Sequence, residues 1–170
     1  MKILIIQEAG RHKENAHFRE CLSMQRALIN LGHFADVWGL GHENFENVPD
    51  WETYDVILNL ENYDSTGWLP SLNNTKKPKK LLWSIDAHCR GIGVYRDLYR
   101  NGNYDIILQA TKDFVDEDSI WFPNCYDSSL IGVRDEVEKS NFIGFCGSLL
   151  HRSEVLNHLV ERYDLKKDIW

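Results

Sequence analysis

Six short apolar runs, each separated from the next by a longer polar or amphipathic stretch, constrain the fold of this chain more than any other feature. They are Ile3 to Ile6, Ala35 to Leu40, Asp55 to Leu60, Lys80 to Ile85, Asp105 to Gln109 and Ser119 to Pro123. Most are continuous rather than alternating, the pattern of parallel strands covered on both faces. Between the first two, Asn15 to Leu31 carries Phe18, Leu22, Met24, Leu28 and Leu31 at spacings that include three and four. That predicts one long helix, stopped at Gly32. A second helix is expected over Val94 to Arg100, ended by Asn101-Gly102-Asn103, and a short one after Thr111, with Asp113 in its first turn. Residues 61–79 read as a loop with a short helix near Trp68 to Leu72.

Strand, helix and strand in repetition imply an α/β fold: a doubly wound, mainly parallel Rossmann-like sheet with helices on both faces. Residues 1–135 complete that domain. After the polar link Arg134 to Ser140, "NFIGFCGSLLHRSEVLNHLVERYDL" is a fresh strand, glycine turn and helix, with Val155, Leu156, Leu159 and Val160 on one helical face. Residues 136–170 are therefore expected to open a second, incomplete Rossmann-like domain.

Composition narrows the partners. The 170 residues are 43% hydrophobic and 26% charged, enough for a real core, and the formal charge of −7 argues against a nucleic-acid surface. The basic run Lys76-Lys77-Pro78-Lys79-Lys80 reads as a solvated turn leading into a strand. Cys21, Cys89, Cys125 and Cys146 are scattered, without a C-x-x-C pair, so neither a zinc signature nor a disulfide framework is present. The opening MKILIIQEAG is too short an apolar run for a signal peptide, and nothing approaches the roughly 18 apolar residues of a membrane span. A reducing cytoplasm with free thiols is the expectation.

In an open parallel sheet, ligands sit beyond the carboxyl ends of the strands. Glu8 and Gly10 follow the first strand, Asn59 and Glu61 the third, Asp86 and His88 the fourth, Gln109 to Thr111 the fifth, and Asn124 with Asp127 the sixth. In extended chain Asp86 and His88 share a side and converge on one substrate hydroxyl. The plainer alternative is an aspartate capping the next turn and a histidine satisfied by backbone. A metal wants three or more protein ligands, and no nearby Cys or His pair completes such a set, so none is assigned. The first turn, Gln7 to Arg11, lacks G-x-G-x-x-G, which disfavours a bound dinucleotide, and no G-x-S-x-G elbow surrounds Ser84. In the late turn, Gly147 lets backbone approach a ligand and Ser148 can donate to a phosphate. Arg152, in the first turn of the following helix, is balanced by a diphosphate or simply exposed. His17 and Arg19 sit early in the first helix, where a lone His is either a crevice contact or a packing residue. Trp51 and Trp68 lie in loops and are candidates to stack on a flat ligand, whereas Trp38, Trp83 and Trp121 lie in or beside strands.

The order of these motifs resembles the amino-terminal half of GT-B glycosyltransferases: first strand, glycine loop at Gly10, long helix ending "LGH", then "FADVWGL". "LLWSIDAH", "YDIILQAT" and "IWFPNCYD" resemble strand segments of its CgeB-like branch, and "FIGFCGSLLHRSEVLNHL" the start of that fold's second domain. The resemblance implies sugar transfer from a nucleotide-sugar to a glycan or other acceptor hydroxyl, usually without a bound metal and with no further cofactor. It implies His88 or Asp86 as base or acceptor contact. Glu8, Gly10, His17, Glu61, Asn124 and Asp127 would line the acceptor side, and Gly147, Ser148 and Arg152 would meet the donor diphosphate. A chain that stops after the first unit of the second domain is expected to be weakly active or inactive alone. Leu149, Leu150 and Trp170 would then be covered by self-association or by a further carboxyl-terminal half. Two alternatives stand beside this reading: a non-enzymatic flavodoxin-like module that binds a glycan or protein, and a metal-dependent hydrolase built on Asp86 and His88.

Overall fold

The structure, a computed structural model, describes residues 1–10, 13–61, 67–69, 71–125, 127–130 and 153–163. The strands are β1 Lys2–Ile6, β2 Phe34–Trp38, β3 Val56–Leu60, β4 Lys79–Ser84, β5 Ile106–Gln109 and β6 Ser119–Trp121. All pair in parallel, in the order β2-β1-β3-β4-β5-β6. Each sits within the expected apolar run or one residue from it. The helices are α1 Glu20–Asn30, α2 Ala87–Arg90, α3 Ile92–Asn101 and α4 Ser153–Tyr163, with short 3₁₀ turns at Lys13–Phe18, Trp51–Thr53 and Lys112–Phe114.

Side chains alternate across the sheet and feed two separate cores. Leu4, Ile6, Trp38, Ile57 and Leu82 pack under Tyr95 of α3 and Tyr104. On the other face Ile3, Ile5, Val37, Leu58 and Trp83 meet Cys21, Leu22, Met24 and Leu28 of α1. Helices therefore cover both faces, which is why the strands read as unbroken apolar runs. The open edge of β2 is blunted by side chains. Gln25 Nε2 donates to Ala35 O and Asn44 Nδ2 to Val37 O, both at 2.9 Å, filling acceptors that another strand would otherwise take.

Four expectations are corrected, in whole or in part. The predicted helix from Asn15 to Leu31 is two elements, because Arg19 between them is extended (φ −61°, ψ 144°). Buried Gln7 sets that break: its Oε1 accepts from Cys21 N at 3.0 Å and its Nε2 donates to Glu20 at 2.9 Å, so α1 starts at Glu20. The described residues between Trp68 and Leu72 carry no helix. In the basic run read as solvated, Lys76, Lys77 and Lys79 are exposed, whereas Lys80, at the start of the expected strand, is buried on β4, its ammonium donating to Leu72 O at 3.3 Å. Trp51 and Trp68 do not wait for a ligand. Their rings lie 5.5 and 5.8 Å from that of buried Trp38 and pack on the core.

The chain divides into two compact units, Met1–Ile131 and Gly132–Trp170. Of the second, α4 is described: Leu156, Leu159 and Val160 are partly covered, while Val155 is exposed. Among the described residues no helix is long and apolar enough to cross a membrane.

Candidate functional site

The strand order turns back on either side of β1, so the carboxyl ends of β1 and β3 flank the crevice that such sheets offer to ligands. At the end of β1, Gly10 has φ +87°, and a Cβ there would lie 3.3 Å from Arg19 Cδ. The Arg19 guanidinium in turn donates to Glu8 O at 3.3 Å. Glu8, Gly10 and Arg19 are thus gathered into one turn.

At the end of β3, Glu61 leaves the strand with φ +52°, a conformation uncommon outside glycine, Asn and Asp. Its side chain reaches across to the end of β4. Oε1 accepts from Ile85 N at 3.1 Å, from Asp86 N at 2.5 Å and from the Tyr95 hydroxyl of α3 at 3.0 Å. Burial, and then the neighbouring Asp86 charge, hold the Glu61 carboxyl above the usual carboxylate range against the pull of those donors. Burial and the Glu61 charge likewise push the Tyr95 phenol up.

The segment after β4 is not the extended tip that the spacing suggested. Asp86 precedes α2, and its carbonyl accepts from Cys89 N and Arg90 N, both at 2.9 Å. The side chain of Asp86 makes no capping bond. Gly91 (φ +84°) ends the turn, and α3 begins at once. The helical turn still brings Asp86 and His88 together: a carboxylate oxygen of Asp86, a ring nitrogen of His88 and Sγ of Cys89 all lie within 4.8 Å of one another. His88 and Cys89 are exposed. Glu61, Tyr95, Asp86, His88 and Cys89 therefore form one continuous polar group at the carboxyl end of the sheet.

Two further polar residues sit at that end. Ser84 and Gln109 are paired across β4 and β5, each 0% exposed, and Ser84 Oγ and both amide atoms of Gln109 have no hydrogen-bond partner among the described residues. Burial of unpaired amide and hydroxyl groups opposes folding, and native interiors hold few of them.

Among the described residues, the remaining predicted ones make no hydrogen bond or ring contact with this group. Asp127 is tied up structurally, accepting from Arg26 Nη2 at 2.6 Å and Nε at 2.9 Å and from Ser129 N at 2.9 Å. The Ser129 hydroxyl and Arg26 hold its carboxyl well below the usual carboxylate range. Asn124 is exposed after β6. His17 lies in the 3₁₀ turn before α1, exposed, its ring 3.9 Å from that of Phe18 and its carbonyl accepting from Arg26 Nη2. Gly147, Ser148 and Arg152, with Leu149, Leu150 and Trp170, lie outside the described residues.

Tyr95 and Cys89 were absent from the predicted set. Cys89 was findable, since D-A-H-C read as a helical turn puts three donors on one loop of backbone. Tyr95 was not, because its partner lies 34 residues away on another element. Two surface hollows lie away from this group. One of about 630 Å³ outside β2 is lined by Trp38, His42, Asn44 and Tyr54 among others. The other, about 430 Å³, lies between α3 and residues 116–118. Compared with protein families, with curated proteins and with solved structures, the chain shows no match.

Proposed function

We propose that this chain carries the acceptor-side part of a glycosyltransferase, moving a sugar from a nucleotide-sugar to an acceptor hydroxyl. The observation behind this reading is the proximity, within 4.8 Å, of an Asp86 carboxylate oxygen and a ring nitrogen of exposed His88 at the carboxyl end of a doubly wound sheet. A neutral imidazole takes a hydroxyl proton near neutral pH, and an adjacent carboxylate orients it and stabilises the imidazolium that results. In the proposed step the acceptor oxygen attacks the anomeric carbon and its proton passes to His88. The bond from that carbon to the oxygen of the terminal phosphate breaks, and the nucleoside diphosphate leaves with the electron pair. Glu61 acts through backbone, fixing Asp86 by its amide. Gly147, Ser148 and Arg152 are assigned to the leaving diphosphate on the motif alone.

The test is turnover of a panel of nucleotide-sugars by this chain, alone and fused to a donor-binding domain, with nucleoside diphosphate release as readout. His88→Ala is expected to cut turnover by at least ~100-fold, the usual contribution of a positioned base, with little change in donor affinity. Absence of binding and hydrolysis for every nucleotide-sugar sinks the proposal. A second reading is favoured by the strand order itself, since β2-β1-β3-β4-β5 is the flavodoxin-like arrangement: a module that binds a glycan or a protein without chemistry. Glycan binding without release of diphosphate decides for it.

A further inference from the structure

We propose that Asp86, His88 and Cys89 form a three-donor site for Zn²⁺. The donors are a carboxylate oxygen, an imidazole nitrogen and a thiol sulfur, the three ligand types that zinc accepts, and all lie within 4.8 Å of one another. A tetrahedral zinc about 2.0–2.3 Å from each ligand sets the ligands roughly 3.3–3.6 Å apart. The donors therefore close by at most ~1.5 Å to meet that geometry, within reach of side-chain rotation at exposed His88 and Cys89. Asp86 gives up no capping bond by turning to the ion.

The platform beneath is fixed. Glu61 Oε1 holds the amides of Ile85 and Asp86, so the backbone that carries the first ligand is pinned from a neighbouring strand. That second carboxylate beside Asp86 also favours a cation over any anion. Three protein ligands on an exposed turn leave the fourth position to water or to a ligand. Hard ions gain little here, because Mg²⁺ and Ca²⁺ select oxygen and the three donors supply one oxygen ligand. Binding moves the Cys89 thiol proton to solvent as the sulfur–metal bond forms. It also occupies the His88 lone pair, so a zinc-loaded chain cannot use His88 as a base. The site is read without any nucleotide-sugar, and its failure leaves the transferase proposal standing.

The experiment titrates the reduced, metal-free full chain with Co²⁺ and then displaces it with Zn²⁺. The expected result is one equivalent of Co²⁺ bound with a thiolate-to-cobalt charge-transfer band in the near ultraviolet, bleached by Zn²⁺. Cys89→Ser is expected to abolish the band while Cys125→Ser keeps it. His88→Ala and Asp86→Asn are each expected to weaken Zn²⁺ by at least ~10-fold, the scale on which even outer-shell partners act. The exposure of His88 and Cys89 leaves the core untouched in their variants, which near-ultraviolet circular dichroism checks. A missing band, a band that survives Cys89→Ser, or Zn²⁺ affinity unchanged by both His88→Ala and Asp86→Asn overturns the proposal.

Discussion

Glu61 does two opposed things, and a single substitution separates them. Its oxygen satisfies three donors, while its charge sits partly buried beside Asp86. Because its folded pKa lies above the ordinary 4.5, the native state holds that proton more tightly than the unfolded chain. Stability is therefore lost as pH rises from the unfolded value through the folded one. Glu61→Gln keeps the acceptor and removes the charge, so the variant should gain on the parent in urea melts between pH 4 and pH 7.5. Glu61→Ala strands the three donors and should cost about 2–3 kcal/mol at either pH. Parallel pH profiles for parent and Gln variant contradict this account. At this scale the sequence was half legible. Glu61 stood out as a polar residue closing an apolar run, but its partners lie 24, 25 and 34 residues away, and no local pattern announces them. Trp51 and Trp68 misled for the same reason, since a tryptophan in a loop looks free until Trp38 is placed beneath it.

Element boundaries follow local pattern where backbone pairs with backbone and depart from it where a distant side chain intervenes. The strands keep their predicted places because each needs only its own run of apolar residues. The start of α1 does not, because Gln7, thirteen residues before Glu20, fixes it. The β1 and β2 ends show how tight such junctions are. A Cβ at Gly39 would lie 2.0 Å from Gln7 O, in backbone already held by the bond from Gln7 N to Trp38 O. Gly39→Ala must displace one strand end and is expected to cost about 2–4 kcal/mol. Gly93→Ala, in α3 with nothing within 4 Å of the added carbon, should instead stabilise by roughly 0.5–1 kcal/mol through helix propensity. Opposite shifts in chemical melts check the pair, and a tolerated Gly39→Ala removes the argument for a close junction.

Across the molecule, the fold class was legible because a sheet buried on both faces writes unbroken apolar runs into the chain. The strand order was not, since it depends on which way each crossover turns, and periodicity is silent on direction. The location of the polar group at the carboxyl ends needed only the parallel pairing, which is why Glu61, Asp86 and His88 stand out together, whereas the ion pair of Asp127 with Arg26, 101 residues away, is announced by no local pattern. Both cores lie between Ile3 and Phe114, inside the unit that ends at Ile131. Apolar burial of this kind is the main source of folding free energy, and among the described residues neither core extends beyond that boundary. A chain ending at Ile131 is therefore expected to melt in a single cooperative transition. It should also keep the near-ultraviolet signal of its five tryptophans, the sixth being Trp170. A broad melt with exposed apolar surface, seen as strong dye binding, would place part of the core's support in residues 132–170 and refute the division.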